Sequence, residues 1–178
     1  MEDRLKYLLA ETSKGDMDSF AILYKELVNI IYGYLKSRLD MEDTIQDILQ
    51  DTFMAVWKNS HLYNGQASVV SWVVSIARNK MMDALRRKYK HENASVKINE
   101  LTISTDDFTE DLTDKLVLKG ALKQLNADSK ELLYLVYNMG LSYKETASIL
   151  EIPEGTVKSR MYSIKNDLRK QLDYRGED

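Results

Sequence analysis

Three groups of side chains in this sequence could do chemistry, and in each the chemistry is recognition. The first lies in Leu141–Tyr162, LSYKETASILEIPEGTVKSRMY. With Val157 at the buried centre of a helix, Gly155, Ser159, Tyr162 and Asn166 fall on the opposite face, flanked by Thr156 and Lys158. Small, polar and basic groups near a helix N-terminus can enter a major groove and meet base edges. The second group is Asp47, Gln50 and Asp51, spaced i, i+3 and i+4, so they share one helix patch. Carboxylates beside an amide suit the arginine forks of a basic partner, and the plainer alternative is a solvated face. The third is Arg78–Lys90, which holds six Lys/Arg against one acid, Asp83. Trp72 and Tyr89 sit in that basic stretch, and the preceding loop carries His61 and Tyr63. Cations serve a phosphate backbone and flat rings serve unpaired bases. Trp72 suits a core position as well as a contact.

Bond-making chemistry has no comparable support. No Gly-rich phosphate loop, HExxH or nucleophile elbow occurs, and His61 and His91 fall in expected loop and linker. Without cysteine there can be neither disulfides nor thiolate metal sites, and a reducing compartment is compatible. The expectation is a non-enzyme with no cofactor and no metal. The net charge of −3 taken alone argues against a nucleic-acid binder. Its distribution argues the other way. Thr156–Lys170 holds five Lys/Arg against one acid, and the intervening Glu92–Lys115 holds seven acids against two lysines. Two basic patches around an acidic stretch are two candidate phosphate-facing surfaces, or else solvated helix faces. The charged start MEDRLKYLLAET does not resemble a signal peptide, and Val69–Ala77, interrupted by serines, is too short to span a bilayer.

These groups need helices to hold them. Ser142 and Glu145 have the spacing of a capping box. Ala147 and Leu150 then share a face, Ile152 sits in a turn, and Pro153 suits the first position of the next helix. Val157, Met161, Ile164 and Leu168 make one apolar stripe along it. The pattern predicts a helix-turn-helix, with a plain αα-hairpin as the alternative. Upstream, helices are predicted at 3–12, from an Asp16 cap towards Asp40, at 42–58, and from Trp72 through the basic stretch. Phe20, Leu23, Tyr24, Leu27, Ile30, Ile31 and Tyr34 form the buried stripe of the second. Asn59–Ser68 reads as a loop, with Asn64-Gly65 as a turn. From His91 to Thr113 the periodicity fails, which predicts a flexible acidic linker. Further helices follow over Lys115–Leu125 and, capped by Asn126 or Asp128, over SKELLYLVYNM, stopped at Gly140. The expected fold is all-α, with two small helical domains joined by that linker and the helix-turn-helix in the second. The expected boundaries are 1–90, 91–113 and 114–178.

This order of parts resembles a bacterial RNA polymerase sigma factor of the compact extracytoplasmic-function type (ECF, group IV). DILQDTFMAVW, Asp47–Trp57, looks like the family's polymerase-docking helix. SWVVSIARNKMMDALRRK, Ser71–Lys88, looks like its helix for recognising and opening the minus-10 element. Gly140–Tyr162 looks like its module for reading the minus-35 element. The resemblance covers nearly the whole chain, and three motifs in the right order are specific where one alone is not.

The resemblance implies a sigma factor that binds core RNA polymerase and directs promoter-specific transcription initiation. It sets Asp47, Gln50 and Asp51 against the polymerase. It puts Tyr63, Arg78, Asn79, Arg86 and Arg87 at the minus-10 DNA, with the loop Ser60–Ser68 capturing a flipped-out base. It puts Thr156, Lys158, Ser159, Arg160, Tyr162 and Ser163 at the minus-35 DNA, Arg160 facing phosphate. It also implies a cytoplasmic protein without direct membrane insertion, held in check by an anti-sigma factor. Five positions depart from the family pattern. Val69 stands where an aromatic is common, Glu151 replaces the usual turn glycine, and Ser163 and Asn166 stand where arginines are usual. Asn126 replaces a usual proline. The alternative function is a stand-alone helix-turn-helix repressor or activator, which should dimerise on a palindromic duplex. A third class, a helical adaptor binding only proteins, rests on the net negative charge alone.

Overall fold

The structure, a computed structural model, describes residues 1–91, 120 and 122–173. The chain divides into two compact units, Met1–Glu100 and Leu101–Asp178. The described residues form helices and turns, with no strand among them, as the periodicity predicts. The expected linker 91–113 lies outside the described residues apart from His91, and so does most of the expected helix over Lys115–Leu125.

The first unit contains α1 (Glu2–Ser13), α2 (Met17–Lys36), α3 (Glu42–Asn59) and α4 (Val69–His91). Gly15 at φ 91° turns the chain out of α1, and the Asp16 carboxylate accepts the N–H groups of Asp18 and Ser19 to start α2. Leu23, Leu27, Ile31 and Tyr34 of α2 are fully buried, at the four-and-three spacing of one helix face. They pack with Leu5 and Leu9 of α1, Ile45 and Val56 of α3, and Val73, Ala77 and Met81 of α4, all buried. Burying each such side chain contributes roughly 1.5–3 kcal/mol, so this core outweighs any single cap. Tyr24 belongs less fully to the stripe than its spacing suggests. It is 39% exposed, and its ring meets Phe53 edge-on at 4.6 Å. Phe20 and Trp57 make a second such rung at 5.2 Å, so aromatic pairs seal the α2–α3 seam at the surface.

Two local expectations need correction here. Asn59–Ser68 is not all loop: α3 extends through Asn59, and Ser60–Leu62 form a 3₁₀ turn in which the Ser60 hydroxyl donates to the Trp57 carbonyl. Trp72 does not open α4. The helix starts at Val69, because Ser68 caps it, its hydroxyl oxygen accepting the N–H of Ser71.

The second unit contains α5 (Ala127–Leu133), a π-helical segment Tyr134–Asn138, α6 (Tyr143–Leu150) and α7 (Glu154–Asp173). The Asn126 side chain accepts the N–H of Ser129 at 2.8 Å and so caps α5. The π turn, which the periodicity does not foretell, ends at Asn138, and Gly140 follows two residues later at φ 66°. Leu132, Ala147, Val157, Met161 and Ile164 form the buried core, with Leu125, Ile152 and Leu168 packed against it. The predicted stripe of α7 is therefore the face it buries.

Candidate functional site

In the second unit the local chemistry builds a helix-turn-helix. Ser142 and Glu145 satisfy each other's backbone N–H groups in a complete capping box. At the other end of α6, Glu151 adopts the left-handed conformation (φ 56°, ψ 41°). Its N–H reaches the Ser148 carbonyl, and the N–H of Ile152 reaches that of Ala147, which closes a Schellman motif. The turn thus keeps a glycine-type backbone although glycine is absent. Pro153 stands one position earlier than its residue type suggests. It lies just ahead of α7, where its carbonyl accepts the N–H groups of Thr156 and Val157.

The fully buried Val157 turns the outer face of α7 to solvent. Lys158, Ser159, Arg160, Tyr162 and Ser163 are exposed, Tyr162 by 70%. Thr156 and Asn166 are half-buried and less available than their spacing suggests. The Ser159 hydroxyl donates to the Thr156 carbonyl, so it faces a ligand as an acceptor. Arg160 and Ser163 line a shallow groove of about 620 Å³ beside Asn126 and Ser129 at the start of α5. Lys165 is committed elsewhere. Its ammonium lies 5.8 Å from the Tyr137 ring centre, and Tyr137 raises its pKa above the ordinary lysine value. That contact ties the π segment to α7.

In the first unit, Asp47, Gln50 and Asp51 are all exposed on α3. Met54 sits i+3 from Asp51 and i+4 from Gln50 and is 49% exposed, so the acidic patch continues into an apolar one. Sequence reasoning passed over Met54, although its spacing from Asp47 was signal enough.

The basic surface of α4 is divided. Asn79, Arg86 and Arg87 are exposed and Arg78 is half-buried. Arg86 pairs with Asp83 at 3.1 Å, an exposed pair that costs little to break. Trp72 is half-buried on the same side of α4 as Asn79, away from Val73, Ala77 and Met81. Its ring lies 5.5 Å from that of Tyr63. The Tyr63 hydroxyl donates to the Ala67 carbonyl and is therefore spent inside the loop. Burial first, and the charge of Glu2 second, push the Tyr63 phenol above its ordinary pKa. Tyr63 is thus set up to offer its ring rather than its hydroxyl.

No group of His, Asp or Glu suited to a metal occurs among the described residues, and no described helix is long and apolar enough to cross a membrane.

Comparison with known proteins matches both units. Residues 23–91 match the family model for sigma-70 region 2, and residues 115–168 that for sigma-70 region 4. The ECF RNA polymerase sigma factor SigM of Bacillus subtilis is 30% identical over 159 residues, which cover 83% of this chain and 91% of that protein. The ECF RNA polymerase sigma factor BldN of Streptomyces coelicolor is 26% identical, over 95% of this chain and 66% of that longer protein. Among solved structures, the sigma factor RpoE from Bartonella quintana, in complex with the anti-sigma factor NepR, superposes with a TM-score of 0.67. It is 26% identical, and the match covers 88% of this chain and 98% of that one. The two units, their order and these relatives agree: this chain belongs to the ECF family of RNA polymerase sigma factors.

Proposed function

We propose that this chain binds core RNA polymerase and directs promoter-specific transcription initiation, as a cytoplasmic sigma factor of the compact group IV type. The observation that carries the reading is the presence of both regions, 2 then 4, in one chain whose relative SigM aligns over nine-tenths of its length. The exposed carboxylates of Asp47 and Asp51, with Gln50 and Met54, support a docking face for a basic partner on the polymerase. Domain limits of 1–90 and 114–178 follow from this division of labour.

The proposed mechanism is binding, not catalysis. Lys158, Ser159, Tyr162 and Ser163 read the minus-35 duplex from the major groove, with Thr156 and Arg160 at its edge. Arg78, Asn79, Arg86 and Arg87 hold the unpaired minus-10 strand, and the Tyr63 loop takes up a flipped base. Flipping costs a few kcal/mol of lost stacking, which the loop and the nearby cations offset. No nucleotide hydrolysis is required. An anti-sigma factor holds the protein inactive, as the complex of the similar RpoE with NepR suggests.

Run-off transcription on genomic fragments, with core polymerase and with or without this protein, tests the reading. Discrete transcripts that depend on the protein are expected. Specific duplex binding without polymerase, and no such transcripts, would instead indicate a stand-alone regulator.

A further inference from the structure

The helix α1 precedes the residues that match region 2, which begin at position 23. It nevertheless bonds to a residue well inside that region. The carboxylate of Glu2 accepts the backbone N–H of Val69 at 2.9 Å, across 67 residues of chain. Val69 is the first residue of α4 and is fully buried. The first N–H groups of a helix have no partner inside it. Ser68 satisfies that of Ser71 locally, and Glu2 satisfies that of Val69 from a distance. Lys6, one turn along α1, lies 4.0 Å from Glu2. The apolar side of α1, through Leu5, Leu8 and Leu9, is buried, and α1 also packs on the 3₁₀ turn Ser60–Leu62.

The 60–68 loop is therefore tied at both ends and in the middle. Ser60 is held by Trp57, Tyr63 by Ala67 and Trp72, and the exit by Ser68 and Glu2. All of these ties except the last come from the loop or its two flanking helices. We infer that Glu2 is a positioning residue for base selection at the minus-10 element: by capping α4 at Val69 it sets the register in which the Tyr63 loop meets the unpaired strand. The inference rests on the sigma-factor reading above. Glu2 itself touches no DNA in this scheme and acts through Val69 and the loop exit.

The test uses the full chain, tagged at its C-terminus, reconstituted with core polymerase. Strand opening is followed by permanganate footprinting on a promoter and on the set of single-base changes across its minus-10 element. Glu2→Ala is expected to lower discrimination between bases at the captured position about fivefold, the scale of one lost helix cap. Glu2→Gln, whose amide oxygen can still accept the Val69 N–H, is expected to retain wild-type discrimination. A uniform loss on every promoter would mean a merely structural role and would overturn the inference. So would unchanged discrimination in Glu2→Ala, or equal loss in both variants. Wild-type protein that confers no promoter-dependent opening would overturn the sigma-factor reading and this inference with it.

Discussion

Ile152 donates its backbone N–H to the carbonyl of Ala147 at 3.1 Å, and the bond closes over Glu151, held at φ 56°. Glu151 is the only non-glycine residue with positive φ among those described. A side chain in this region costs roughly 1–2 kcal/mol, partly offset by the entropy a glycine would lose on folding. Glu151→Gly is therefore expected to stabilise the second unit by about 0.5–1 kcal/mol, and Glu151→Val to destabilise it by at least as much. Amide exchange in α6 and α7 reports the change, and slower exchange in the valine variant would contradict it.

The acidic face of α3 makes a separate prediction. Asp47, Gln50 and Asp51 are exposed, so removing their side chains opens no cavity. Asp47→Ala combined with Gln50→Ala is expected to abolish co-elution with core polymerase while circular dichroism stays at wild type. Met54→Ala is expected to weaken co-elution less, since it removes apolar contact and no charge. Unaltered co-elution of the double variant would remove the docking assignment.

Lys158 and Arg160 lie on opposite flanks of the α7 outer face and should behave differently. Lys158→Ala is expected to lose roughly 1–3 kcal/mol of discrimination between upstream elements, as a base contact would. Arg160→Ala should weaken binding about equally on all sequences and flatten its salt dependence, as a phosphate contact would. Binding of the holoenzyme to a series of minus-35 variants at two salt concentrations separates the two. Equal, sequence-independent losses for both would reassign Lys158 to phosphate.

Acid stability of the first unit should depend on Asp16. The Ser19 hydroxyl, more than the Asp18 and Ser19 N–H groups, holds its carboxyl below the ordinary 3.8, against a weaker opposing effect of desolvation. A folded-state pKa below the unfolded one contributes stability above the unfolded value, and that contribution disappears as pH falls through the folded value. Wild-type protein should therefore lose stability from about pH 3.8 downward in part through this group. Asp16→Asn keeps a capping oxygen but no titration, so its stability should fall less steeply in that range. Trp57 and Trp72 both lie in this unit, and their fluorescence follows its acid unfolding. Identical acid profiles would exclude the contribution.

Most of the long helices, the caps at Asp16 and Ser142, and the burial of Val157, Met161 and Ile164 were legible in the sequence, while the cap of α5 was left between Asn126 and Asp128. Each depends on residues within about two turns of one another, where hydrogen bonding and apolar spacing follow directly from helix geometry. The acidic patch of α3 was legible for the same reason. Local pattern could not give the direction in which Trp72 faces, because that depends on Tyr63 arriving from the loop beside it. Nor could it give the half-burial of Thr156 or the π turn at Tyr134–Asn138. The Glu2–Val69 bond lies furthest beyond sequence reading. A helix N-terminus advertises its need for an acceptor, but only the tertiary fold decides which distant carboxylate is brought within reach of it.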